Sequence, residues 1–145
     1  VLNIKNAGSS ELNSKLYPVV GLMDQWDKDG QVIQGSNKNL GGTMRLGSYP
    51  ANLRHNSLIH KIYKSKKILE RHRHRYEVNM ALREKFEKKG MFFTGISPDN
   101  KLPEIIELKN HPWFVGVQYH PEFKSRPLNP HPLFSSFIKA AKKYR

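Results

Sequence analysis

Short apolar runs, each closed off by proline, glycine or asparagine, restrict the fold of this chain more than any other feature. Residues Tyr17–Leu22, Met91–Ile96, 105–108 and 114–117 have the apolar density of buried strands and are too short for buried helices. Pro18 puts the first of them at an edge or at a strand opening, because proline has no N–H to give to a ladder. Residues 41–47 add a short alternating strand between glycines, which positive φ or close backbone approach explains without a ligand. Ile68 and Leu69 begin another, which runs into Arg71, His72, Arg73, His74 and Arg75. The turn chemistry of Ser97, Pro98, Asp99 and Asn100 allows the 91–96 and 105–108 runs to pair as a hairpin.

Between the runs lie helical patterns. Asn56 is placed to cap a helix reaching about Lys64, with Leu58, Ile59, Ile62 and Tyr63 on one face. Asn79 opens a second, with Leu82 and Phe86 inward and Gly90 past its end. Pro132 suits the first position of a terminal helix whose stripe of Leu133, Phe134, Phe137, Ile138 and Ala141 reads as core, and whose Lys-rich end suits the negative pole. Val1, Leu2 and Ile4 read as the tail of a helix that breaks at residues 6–8, residues 9–13 as loop, and residues 26–40 as a turn-rich insertion. This alternation predicts an α/β layered domain with an antiparallel contribution from residues 91–108. Ligands of such sheets gather at the carboxyl ends of strands.

A chain of 145 residues is sized for one domain or less, and the absence of an initiator Met predicts that it begins inside a longer protein. It has no Cys, which excludes disulfides, Cys-ligated zinc and a thiol nucleophile within these residues. Neither a signal-peptide pattern at the start nor a run near the ~20 apolar residues of a membrane span is present, so no membrane partner is expected. A net charge of +13 raises nucleic acid as a competing partner class for a non-catalytic basic module. Against it, the basic residues are spread along the chain, and the 71–75 cluster lacks the interleaved aromatics on which bases stack. His72 and His74, without Cys or a clear third ligand, make a weak metal site, so none is expected; Arg71 and Arg73 read as packing and ion-pair partners.

Chemistry concentrates where the 114–117 run ends, at His120, Pro121 and Glu122. In extended chain, residues two apart share a side, so the imidazole and carboxylate can face one cleft. A carboxylate on one imidazole nitrogen fixes the tautomer and stabilises the imidazolium formed when the other nitrogen takes a proton. That makes a base and its orienter without a nucleophile. Taken alone, the tripeptide reads more readily as a strand-to-loop corner with an idle His and a solvated Glu.

Three longer segments bear on that choice. Residues 41–47 (GGTMRLG), 70–79 (ERHRHRYEVN) and 111–123 (HPWFVGVQYHPEF) resemble the signature stretches of the glutaminase domain of CTP synthases, which are class I glutamine amidotransferases. Similarity extends from about Ala7 to the terminal helix and is weak over 24–40 and 97–103. The first two segments are the more specific, since the strand ending in His-Pro-Glu is shared across the class.

The resemblance implies a flavodoxin-like layered fold, incomplete here, with residues 1–145 forming the C-terminal part of a glutamine amidotransferase domain. Glutamine would be attacked by a cysteine thiolate, with His120 as base and proton donor and Glu122 as its orienter. Glu11 matches the acidic residue that binds the α-amino group, although Gly8 stands where Asn is usual. Arg75 matches the arginine that binds the α-carboxylate, with Tyr76 supplying nearby backbone, and a guanidinium fork suits a carboxylate. Ammonia would pass to an N-terminal synthase domain that aminates UTP with ATP and Mg²⁺. The resemblance further implies GTP as allosteric activator, a homotetramer, a cytoplasmic location and no cofactor bound by this segment. Nucleophile elbow and oxyanion loop belong to the half not present, so the segment is expected to be inactive alone.

Overall fold

Two sheets receive the strand-like runs. The computed structural model describes residues 1–13, 15–22 and 44–144, and the expectations for 24–40 and for Gly41, Gly42 and Thr43 lie outside the described residues. The smaller sheet has the order β1-β2-β5, from β1 (Ala7–Ser9), β2 (Tyr17–Leu22) and β5 (Tyr76–Val78). In the larger sheet the order is β4-β3-β6-β7-β8, from β3 (Arg45–Leu53), β4 (Lys67–His74), β6 (Met91–Ile96), β7 (Pro103–Leu108) and β8 (Val115–Val117). With its helices this makes the mixed α/β domain that the alternation predicts. Pairing in the larger sheet is antiparallel throughout, including the expected β6–β7 hairpin, while β1 and β2 run parallel.

β3 and β4 pair in unbroken register from Arg45↔His74 to Asn52↔Lys67, whereas β3 meets β6 only at Asn52↔Ile96 and Leu53↔Gly95. Pairing with β4 therefore carries β3 well beyond the expected end at Gly47, whose φ is +106°, and through Pro50 to Leu53. Period-two alternation puts Arg45, Gly47, Tyr49, Ala51 and Leu53 on one face, opposite His74, His72, Glu70 and Ile68 of β4. That face is apolar at the Ala51 end and polar at the Arg45 end.

α1 (Leu58–Tyr63) begins one residue later than the Asn56 cap predicts. Asn56 is left-handed at φ +62°, and Ser57 is the cap, its hydroxyl accepting from His60 N at 3.1 Å. The Glu107 carboxylate of β7 accepts from Leu58 N and Ile59 N, each at 2.9 Å, filling donors that a helix start leaves free. Asn79 caps as expected, accepting from Ala81 N at 2.9 Å, but what it opens is a 3₁₀ turn, Met80–Leu82, followed by α2 (Arg83–Lys88). Phe86 of α2 lies edge-on to Phe93 of β6, 5.9 Å between ring centroids.

α3 (Pro132–Lys143) begins at the expected proline, and its Leu133 joins Ala51, Leu53, Ile59, Ile68, Ile105 and Tyr119 in the core. The rest of its stripe is not core. Phe134, Phe137 and Ile138 are 41%, 50% and 56% exposed, because α3 reaches the core through Leu133 and its apolar stripe outruns the surface available to cover it. Residues 1–4 form no helix; Asn3 and Asn6 have φ of +52° and +54°, which right-handed helix excludes. Ser9, expected in a loop, is the last residue of β1, and the 114–117 run is strand from Val115 to Val117.

Candidate active site

Leaving β8, the chain crosses to the outer edge of β4. Gln118 N still donates to Glu104 O at 3.1 Å, then His120 N donates to Arg71 O at 2.8 Å. That bond satisfies a carbonyl on an otherwise open strand edge and fixes the His120 backbone. A 3₁₀ turn over Pro121–Phe123, not the extended alternation expected, folds Glu122 back onto the ring. His120 Nδ1 lies 2.7 Å from Glu122 Oε1. An ionised carboxylate only accepts, so Nδ1 carries the proton and Nε2 keeps its lone pair. The side chains are 36% and 55% exposed, Nε2 has no hydrogen bond among the described residues, and the ring stacks on Phe123 at 5.0 Å. The Glu122 carboxyl lies below the ordinary carboxylate value, first through its own backbone N–H and then through the His120 bond.

The three residues matched to glutamine binding lie on the small sheet and its margin. Glu11 is exposed in the turn after β1, where Ser10 N donates to Val20 O at 3.0 Å. Tyr76 pairs with Leu22 on the far side of β2. Glu11 and Tyr76 thus lie toward one end of the small sheet, on opposite sides of β2. Arg75 is half-buried at the bend between β4 and β5. Among the described residues, no hydrogen bond or ion pair joins Glu11 or Arg75 to His120 or Glu122. What connects them is β4, which carries the Arg71 carbonyl under His120 and ends one residue before Arg75.

Beneath this surface lies a polar layer that the motifs did not reveal. Arg45 Nη1 sits 3.4 Å from Glu77 Oε1 of the small sheet and 2.8 Å from Glu104 Oε1 of the large one, the latter a close contact without hydrogen-bond alignment. Gln118 Nε2 donates to Glu77 Oε2 and, at 2.9 Å, to Pro103 O. His72 Nδ1 and His74 Nε2 are 2.8 Å apart, His74 Nδ1 is 3.1 Å from Tyr76 O, and His72 Nε2 is 3.6 Å from Glu104 Oε2. Arg45, His72, Glu77 and Glu104 are each at most 5% exposed. Burial pushes His72 down to about 3 and His74 to about 4, with the Arg45 charge adding to both. Burial also pushes Glu77 up to about 7 and raises Glu104, against the pull of Arg45.

Arg71 and Arg73 do not pack as expected. They are exposed, because β4 turns its even-numbered residues inward, burying Glu70 and His72. Burial pushes the Glu70 carboxyl up, but the His131 bond at 3.1 Å and the Lys124 ammonium at 3.4 Å leave it below its ordinary value. Tyr63 OH completes this cluster, 3.1 Å from Glu70 Oε1 and 3.0 Å from Tyr119 OH. The period-two burial of β4 was the available signal for both networks, but Arg45, Glu104, Lys124 and His131, which take part in them, lie far from β4 in sequence. No group of three or more His, Asp or Glu able to hold a metal occurs among the described residues.

The chain is similar to known proteins over nearly its whole length. The model of the family "Glutamine amidotransferase class-I" matches residues 10–140. CTP synthase from Pelagibacter ubique is 72% identical over 144 residues, covering 99% of this chain and 27% of that protein. CTP synthase from Hyphomonas neptunium is 58% identical over 141 residues, covering 97% and 26%. The solved glutaminase domain of Trypanosoma brucei CTPS, with bound acivicin, superposes with a TM-score of 0.81 at 33% identity, covering 99% of this chain and 53% of that one. The chain therefore spans about a quarter of the length of the curated relatives it matches.

Proposed function

The chain belongs to the class-I glutamine amidotransferases, and from that premise we propose that it supplies the His–Glu half of a Cys-His-Glu glutaminase site in a CTP synthase. The observation that carries this reading is the 2.7 Å bond from His120 Nδ1 to Glu122, which leaves Nε2 free for proton transfer. Nε2 takes the proton of a cysteine thiol brought by polypeptide outside these residues, and the thiolate attacks the carboxamide carbon of glutamine. Collapse of the tetrahedral intermediate breaks the C–N bond, and the imidazolium returns its proton to departing ammonia. His120 then deprotonates the water that hydrolyses the thioester to glutamate.

Glu11 and Arg75 read the two charges of the amino acid, with Tyr76 backbone beside the carboxylate; their placement at one end of the small sheet supports the assignment. Because these 145 residues have no Cys, the segment alone does not form the thioester. Amination of UTP with ATP and Mg²⁺, activation by GTP and assembly into a homotetramer belong in this reading to the longer polypeptide. No helix among the described residues is long and apolar enough to cross a membrane.

The test replaces the matching residues of the Pelagibacter ubique CTP synthase with this chain. His120→Ala is expected to abolish CTP formation from glutamine and leave formation from free ammonia largely intact. Loss of both activities together would make His120 structural.

A further inference from the structure

Building on that reading, we propose that His74 is a positioning residue for the glutamine-binding segment: a one-way hydrogen-bond order, His72 Nδ1 to His74 Nε2 and His74 Nδ1 to the Tyr76 carbonyl, fixes the backbone at Arg75 and Tyr76. Neither histidine belongs to the proposed triad or touches the reacting atoms.

The direction of the chain follows from valence. A backbone carbonyl only accepts, so His74 Nδ1, 3.1 Å from Tyr76 O, must carry a proton. A neutral imidazole has one donor and one acceptor, so His74 Nε2 accepts, and His72 Nδ1, 2.8 Å away, must donate. His72 is then also the Nδ1–H tautomer, and its Nε2 lone pair faces Glu104 Oε2 at 3.6 Å. Two acceptors facing each other in a buried place would repel, so the carboxyl group has to hold the proton between them. Burial raises Glu104 in the direction this requires. A doubly protonated His74 could also satisfy Tyr76 O, but burial and the Arg45 guanidinium oppose that charge. Reversing the order would set a lone pair on His74 Nδ1 against the Tyr76 oxygen.

The bond acts at the junction of the two sheets. Arg75 lies on the bend joining the two sheets, and β5 has only three residues, paired to β2 from Tyr76↔Leu22 to Val78↔Val20. The same layer continues through Glu77 to Gln118, two residues before His120. It thereby ties the segment proposed to hold glutamine to the segment proposed to carry the base.

The chimera described above, first shown to use glutamine, provides the test. His74→Phe keeps a ring and removes the donor, and His74→Asn places an amide N–H near the former Nδ1. We expect His74→Phe to raise KM for glutamine about tenfold, as loss of one buried hydrogen bond implies, with kcat for glutamine and the ammonia-dependent rate within about threefold. His74→Asn should return KM to within about threefold of the parent. An unchanged KM in His74→Phe, or a fall in kcat alone, overturns the proposal. Imidazole ¹⁵N spectra of the unsubstituted glutaminase domain give an independent reading: both rings should be neutral Nδ1–H tautomers between pH 6 and 8. An Nε2–H tautomer at His74 overturns the proposal even if His74→Phe fails to fold. A chimera that ignores glutamine refutes the functional reading instead, leaving the tautomer test standing.

Discussion

His120 with Glu122 and His72 with His74 are both side-chain pairs two residues apart, and each is closed by one hydrogen bond of 2.7–2.8 Å. Their chemistry is opposite. The first pair is open to solvent and leaves one nitrogen free, while the second is enclosed by Arg45, Glu77 and Glu104 and has every nitrogen facing a neighbour. Spacing brings a pair together; what faces it across the sheet decides whether it exchanges protons with a substrate or holds backbone in place.

The widest separation between the pairs should come from His120→Ala in the chimera. It is expected to lower glutamine-dependent turnover by at least about 10³-fold, with stability changed by no more than about 0.5 kcal/mol because the side chain is partly exposed. A comparable loss of stability would erase the distinction. Arg45→Leu should do the reverse in kind, stranding Glu77 without its cation and costing about 3–5 kcal/mol in urea unfolding of the glutaminase domain. A neutral result would mean that Glu77, like Glu104, already carries its proton. Glu122→Gln should lower glutamine turnover about 10- to 100-fold, less than His120→Ala, because it removes the charge that steadies the imidazolium while keeping an acceptor.

The smallest effect is a pH dependence. His72 and His74 stay neutral in the fold down to about 3 and 4, whereas unfolded His takes a proton near 6.5, so their contribution is complete above about pH 6.5 and drains away as pH falls. Glu77, raised to about 7, works oppositely: its contribution is complete below about 4.5 and is lost as pH rises through 7. The stability gap between the parent domain and His74→Asn should therefore narrow from pH 7 to pH 5 in urea titrations. Parallel curves would show that His74 is not held neutral.

Local rules made part of this legible. The Tyr17–Leu22 strand, the hairpin, the Asn79 cap and the Pro132 start each rest on a few neighbouring residues, and so does the meeting of His120 with Glu122, though a 3₁₀ turn achieves it. Failures came where distant chain decides. β4 inverts the usual sorting, with Leu69 54% exposed and Glu70 2%, because Lys124 and His131, from far away in sequence, join Tyr63 as partners of the acid. Asn56 and Ser57 are adjacent cap residues of nearly equal merit, and the backbone turn at Asn56 chooses between them. Two-sheet organisation was likewise hidden, since Arg45, Glu77, Glu104 and Gln118 give no local sign that they meet.

The bond from His120 N to Arg71 O gives β4 the character of a measuring rod. One mark on it sets the height of the imidazole; another, four residues on and roughly 13 Å away, begins the segment proposed to hold the amino acid. Inserting or deleting a single residue between the marks would shift their separation by about 3.3 Å and send His72 and His74 to the outer face, so length and lining would be lost in the same stroke.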